Sequence, residues 1–170
     1  NLSEETWNIS NVGQINADIR KVGKPLSDWP NLEFFRGITS GLNKAFYISE
    51  HVKENLIRQD SNNSEVIEPL LRGKDIKRYT YTFQKLYILN IHNGVREVKL
   101  ERINVVRDYP IIYEYLKKWE PELIKRKDKG DHWTNLRNCA FLLEFEKPKI
   151  IWIEISDRAN YTYDDRGMYL

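Results

Sequence analysis

A carboxylate followed, one strand later, by an acid-x-Lys triplet is the arrangement with which metal-dependent nucleases hold Mg²⁺ and polarise water. The chain offers one such set: Asp75, then Glu97-Val98-Lys99 just past the turn dipeptide Asn93-Gly94. With 31% of its residues charged, triplets of this kind also arise by chance. Asp75, moreover, sits among basic residues rather than in a strand-like run. Other catalytic constellations do not occur: there is no GxGxxG, Walker loop, GxSxG or HExxH. Cys139 is the only cysteine; beside Ala140 and Phe141 it reads as a small buried hydrophobe rather than a nucleophile. His51, His92 and His132 lack the spacing of zinc ligands.

Charge is informative through its distribution. The net charge is only +2, which announces no polyanion partner. Yet 72–78 carries Arg72, Lys74, Lys77 and Arg78 against Asp75 alone. Segment 117–129 sets Lys117, Lys118, Lys125, Arg126, Lys127 and Lys129 against Glu120, Glu122 and Asp128. Segment 144–165 is acidic. One basic and one acidic side are therefore expected, although a charge run is often no more than a solvated face. One cysteine permits no internal disulfide, so a reducing cytoplasm is the expected compartment. No apolar run approaches the ~20 residues of a membrane span, and no membrane partner is expected. The chain starts at Asn1 rather than Met and stops at Leu170 straight after a strand-like stretch, so both ends are expected to be cuts within a longer protein.

The elements that must position these residues read as one α+β domain over 1–170: mixed strands and hairpins with one long amphipathic helix. Segment 1–30 is polar, with Trp7 and Trp29 isolated and a short helix expected from Ile15 to Val22, Ile19 sharing its apolar face. Leu32–Phe35 and Ala45–Ile48 flank a Gly/Ser/Asn loop and are expected to be two strands. Ser64 to Leu71 is expected to be helical, with Ser64 as cap and Gly73 as stop. Leu86 to Ile91 reads as a strand ended by Asn93-Gly94. Val95 to Val106 fits a returning hairpin strand or a helix equally well. The clearest element opens at Asp108-Tyr109-Pro110, where Ile112, Tyr115, Leu116, Trp119 and Leu123 form one helical stripe. Pro121 must kink that helix or open a second. Ile150 to Ile155 reads as a buried strand, Trp133 and Trp152 as core, and Asp164-Asp165-Arg166-Gly167 as a turn between Tyr161–Tyr163 and Met168–Leu170.

Two blocks in a fixed order carry a family likeness. The first is Phe35-Arg36-Gly37-Ile38-Thr39-Ser40-Gly41-Leu42-Asn43-Lys44-Ala45-Phe46-Tyr47-Ile48. The second is Ile67-Glu68-Pro69-Leu70-Leu71-Arg72-Gly73-Lys74-Asp75-Ile76-Lys77-Arg78-Tyr79. The pair resembles the TaqI-like C-terminal specificity domain, the target-recognition domain of type II and IIG restriction–modification methyltransferases. Downstream, Tyr109-Pro110, Arg126 before Gly130-Asp131-His132-Trp133, Leu136-Arg137, Lys147-Pro148-Lys149-Ile150 and Glu154-Ile155-Ser156 extend the likeness, which runs from about Trp7 to the last residue. Ser40-Gly41 stands where the family usually has Thr-Gly, a change that keeps a hydroxyl beside a glycine. The catalytic motif of an adenine-N6 methyltransferase, Asn/Asp-Pro-Pro-Tyr/Phe, is absent: no Pro-Pro occurs.

The resemblance implies sequence-specific recognition of double-stranded DNA, with this chain performing no catalysis. A covalently linked methyltransferase domain would flip out the adenine and use S-adenosylmethionine, while this domain grips the flanking duplex. No cofactor is expected here; Mg²⁺ would enter only with a nuclease domain of the parent protein. Expected DNA-binding residues are Thr39, Ser40, Gly41, Asn43 and Lys44 in the first loop, and Arg72, Gly73, Lys74, Lys77 and Arg78 in the second. The cluster Lys125, Arg126, Lys127 and Lys129 completes the set. Glycines let the backbone approach phosphates, and short hydroxyl and amide side chains suit base edges. Asn43 matches adenine and Arg72 or Arg78 matches guanine, whereas Lys74 and Lys77 suit phosphates. Two rival classes stay open: a nuclease built on Asp75, Glu97 and Lys99, and a basic module for protein or RNA.

Overall fold

Residues 13–170 are described in the computed structural model, where short helices alternate with short antiparallel strands in a mixed α+β arrangement. Trp7 and the beginning of the resemblance lie outside the described residues. Two compact units meet in sequence between Phe35 and Arg36. In the first, helix α1 (Gly13–Val22) forms where expected, with Ile19 and Val22 exposed. Leu32–Phe35 is irregular rather than a strand, with Leu32, Phe34 and Phe35 exposed.

The second unit carries the core. The stretch expected to be a strand at 45–48 opens instead as a single helical turn, α2 (Asn43–Phe46), and becomes extended only at β1 (Tyr47–Ser49). Ser49 then caps α3 (Glu50–Gln59) by accepting from the Val52 amide. The helix expected over Ser64–Leu71 is not one. Residues Ser61–Val66 form a 3₁₀ helix and Ile67–Pro69 form strand β2. Pro69 has no amide to donate to a ladder, and β2 is accordingly an edge strand of its three-stranded sheet. Strands β3 (Ile76–Lys77) and β4 (Thr80–Tyr81) make a small hairpin, and β5 (Leu86–Leu89) is the central strand that pairs antiparallel with both β1 and β2.

Beyond β5, Asn93-Gly94 turns the chain with Gly94 at φ 81°, but residues 95–106 form neither one long strand nor one long helix. Val95 bridges Leu100 around a 3₁₀ turn at Arg96–Val98, and α4 (Val105–Asp108) comes next with Asn104 as its cap. Tyr109 then leads into α5 (Pro110–Lys117), with Pro110 in its first turn. The Asp108 carboxylate, one residue before the Tyr109 cap of α5, accepts from the Arg107 guanidinium at 2.6 and 3.0 Å.

The expected single long helix ends at Lys117. Pro121 would collide with the carbonyl four residues back and has no amide to offer it, so the chain breaks at Trp119 and Pro121 opens α6 (Glu120–Lys125). The stripe itself survives the break: Ile112, Leu116 and Leu123 are fully buried, joining Phe46, Ile48, Leu56, Ile88, Leu89 and Ile91 in the main core.

Strands β6 (Lys149–Trp152) and β7 (Tyr161–Asp164) form the last hairpin. It is not the buried strand expected at 150–155. Ile151 packs with Leu71, Ile76 and Met168 in a second small core, whereas Ile150, Trp152 and Ile155 are exposed. Trp152 is therefore surface, while Trp133 is partly buried against the main core as expected. Cys139 is half-buried, and burial pushes its thiol pKa up.

Candidate nucleic-acid interface

The first loop is built on Ser40. Its side chain is buried, accepting from the Leu42 amide at 3.2 Å and donating to Asn43 Oδ1 at 2.6 Å. That pair of bonds folds the chain back on itself and leads into α2. Ser40, expected to touch DNA, is thereby committed to the turn, while Thr39 and Asn43 are exposed beside it. Gly41 has φ +68°, and a Cβ there would stand 2.6 Å from the Asp128 carbonyl oxygen. Both facts require glycine. Gly41→Ala is expected to destabilise the protein by about 2 kcal/mol from left-handed strain and displacement of the 126–128 backbone. Urea denaturation measures it; a loss below about 0.5 kcal/mol would show that the loop relaxes freely.

The loop rests on Arg126, which sequence reasoning placed on the DNA side. The structure buries it, 8% exposed. One terminal nitrogen donates to the Ser40 carbonyl; the other donates to the carbonyls of Trp133 at 2.7 Å and Asn135 at 2.6 Å. The guanidinium also lies over the Phe46 ring, 4.7 Å from its centre. Burial pushes its pKa down to about 10, with Asp128 opposing the shift, so it remains a cation at neutral pH. Its Nε is buried without a hydrogen-bond partner among the described residues. Arg126 is thus a clamp between the first loop and the Trp133–Asn135 segment. Asn135, fully buried, continues the clamp by donating to the His92 and Ile103 carbonyls and accepting from Arg102. Lys125, Lys127 and Lys129 do project outward, Lys129 bonding the Ile124 carbonyl, and Lys44 pairs with Glu122 at 2.6 Å.

The second loop turns on Asp75. Its buried carboxylate takes the Arg72 amide at 2.9 Å and a two-point contact from the Arg72 guanidinium at 3.0 and 3.2 Å. Burial alone would raise the Asp75 pKa, but these bonds outweigh it and hold the carboxyl below its usual value. The fork expected to read guanine is occupied by Asp75, leaving Arg78 as the exposed guanidinium of this loop, with Lys74 and Lys77 exposed beside it. The acid-x-Lys triplet of the nuclease pattern does not lie on a strand. Glu97-Val98-Lys99 is a 3₁₀ turn ending in left-handed Lys99. No group of three or more Asp, Glu, His or Cys side chains gathers to hold a metal among the described residues.

Both loops are tied to the C-terminal residues. The Ile38 amide donates to the Leu170 carbonyl, the Leu71 amide to the Tyr169 carbonyl, and the Tyr169 amide to the Pro69 carbonyl. The cluster 125–129 joins the first loop through Arg126, while the second loop adjoins the β6–β7 hairpin, where the Tyr79 amide donates to the Tyr161 carbonyl at 2.8 Å. Sequence reasoning missed the roles of Asn135 and Tyr161, and no local pattern marks either. No helix among the described residues is long and apolar enough to cross a membrane. No protein-family model matches the chain, and no curated protein gives a significant match.

Proposed function

We propose that the chain is a sequence-specific reader of duplex DNA, the target-recognition part of an adenine-N6 methyltransferase or a fused restriction–modification enzyme. The methyltransferase chemistry and S-adenosylmethionine belong, in this reading, to a linked domain, and the working compartment is the cytoplasm. What supports it is one combination: two loops whose sequences resemble the specificity blocks, each presenting exposed donors from a tightly held base. Thr39 and Asn43 stand out from the Ser40 turn, and Lys74, Lys77 and Arg78 from the Arg72–Asp75 turn. Rigidly based polar side chains suit base edges, whereas exposed lysines suit phosphates without reading sequence.

The roles separate by experiment. Changing Lys74 or Lys77 to Ala is expected to weaken all duplexes alike and to flatten the log–log salt dependence by about 0.9 per lost phosphate contact. Asn43→Ala or Arg78→Ala is expected to relax preference at one base pair, at a cost of roughly 1–3 kcal/mol on the preferred site. Binding across a randomised duplex library, at two salt concentrations, reads both effects. A chain with no preference among duplexes, or one that prefers single-stranded RNA, would sink the proposal.

A further inference from the structure

The outward face of the β6–β7 hairpin is unusual for a protein surface. Cross-strand register places Ile150 opposite Tyr163 and Trp152 opposite Tyr161, and all four side chains point away from the core. Their exposures are 64%, 61%, 45% and 40% in that order. The alternate residues explain why the face is turned outward. Ile151 and Thr162 are buried, and Asp164 faces inward to Lys149, so the hairpin is already satisfied on its other side.

Tyr79 extends this surface at the Tyr161 end. It has φ 64°, a left-handed conformation that costs a bulky residue dearly, and its ring is 63% exposed. The ring meets Tyr161 edge-on at 5.5 Å, and the two hydroxyls lie 3.5 Å apart. Arg78 leans over the Tyr79 ring and donates to its hydroxyl at 3.4 Å. Among the described residues no carboxylate pairs with Arg78. A guanidinium and two phenols therefore converge without an anion. Asp165, exposed past the end of β7, sets the opposite polarity at the far end of the strip.

We propose that this strip, which shares Arg78 with the second duplex-reading loop, is a binding site for single-stranded DNA. Bases stack on Trp152, Tyr161, Tyr163 and Tyr79, and one phosphate sits against Arg78 and the paired hydroxyls. Side chains two apart on a strand stand about 7 Å from each other, so a splayed strand meets one ring per base. Base–aromatic stacking tolerates any sequence because every base has a π face. The guanidinium without a carboxylate supplies the complementary charge, and the strain held at Tyr79 is what keeps that ring in the solvent. The choice of DNA over RNA rests on the duplex-DNA reading above; the stacking site itself does not.

The test uses the whole chain with three probes of equal length: a thymidine oligomer of about 15 nucleotides, the matching uridine RNA, and a DNA duplex. The thymidine oligomer is expected to bind and to quench tryptophan fluorescence, and Trp152→Phe to remove that quenching while retaining most of the affinity. Trp152→Ala and Tyr79→Gly are each expected to weaken the oligomer by roughly tenfold or more, and Trp152→Ala is expected to leave duplex binding unchanged. Tyr79→Gly is the decisive variant, because glycine relieves the left-handed strain and is expected to leave thermal stability equal or higher. Absence of oligomer binding, or an affinity unmoved in Tyr79→Gly, overturns the site whatever the duplex does. Preference for uridine RNA overturns the commitment to DNA. Oligomer binding with no duplex binding overturns the function proposed for the loops and leaves this site standing.

Discussion

Replacing Arg126 with alanine is expected to cost about 3 kcal/mol of folding stability, and replacing it with lysine to recover less than half of that. Hydrogen bonds from a charged donor contribute roughly 1.5–3 kcal/mol each, and they do not add when they share one side chain. Removing the guanidinium leaves the Ser40, Trp133 and Asn135 carbonyls facing a cavity above Phe46. The cation's own burial cost works in the other direction, since the substitution also ends an incompletely bonded charge. Three stranded acceptors outweigh it. Lysine fails because one ammonium cannot span carbonyls that a planar fork reaches from two nitrogens. For a chain of this length the loss corresponds to a fall of roughly 6–12 °C in melting temperature. Melting curves and urea titrations of wild type, Arg126→Ala and Arg126→Lys decide it. If lysine matches arginine, the clamp is only a buried positive charge and its geometry is irrelevant.

The same residue shows what can be read from sequence and what cannot. The stripe from Ile112 to Leu123 is legible because helical burial imposes a 3.6-residue period, and Pro121 signals the break it causes. Gly41, Gly73 and Asn93-Gly94 mark real turns. Arg126, however, sits in a run of lysines whose sequence pattern is that of a solvated face; only the fold brings Ser40, Trp133 and Asn135 around it. The segment Ser64 to Leu71 misleads because a short apolar run fits a helix stripe and a buried strand alike. Pro69, which suits an edge strand, is the available signal. At 150–155 an uninterrupted apolar run conceals its own alternation: Ile151 goes in while Ile150 and Trp152 go out. In the loops, glycines and basic residues mark the right neighbourhood. They cannot say that Ser40, Arg72 and Arg126 are spent on holding the turns.

Removing the Asp164 carboxylate is expected to be still more damaging, about 3–5 kcal/mol for Asp164→Ala, because a charge partner is left behind. Asp164 is fully buried and accepts four bonds: from Lys149 Nζ at 2.6 Å, the Tyr81 hydroxyl at 3.3 Å, the Arg166 amide at 3.1 Å and the Met168 amide at 2.9 Å. These join the β6–β7 hairpin to β4 and fix the turn leading to Met168, Tyr169 and Leu170. That last segment is the one to which both candidate DNA loops are tied, so its loss unties the loops as well as the hairpin. Asp164→Asn keeps the volume, yet it must aim an amide N–H at one of the donors, and it is expected to recover little. Lys149→Met is also expected to be costly, about 3 kcal/mol, because it leaves the fully buried Asp164 carboxylate without its counter-charge, softened by the two backbone amides and Tyr81 that still donate to it. Lys149 also bonds the Phe145 carbonyl, and that carbonyl would lose its charged donor. The double mutant Lys149→Met with Asp164→Ala removes the stranded ammonium, so the combined loss should fall below the sum of the single losses by at least about 1.5 kcal/mol. Urea titrations of the four proteins give the cycle directly. Additive losses would mean that the ammonium reaches water once its partner is gone, and that the carboxylate matters only for the turn.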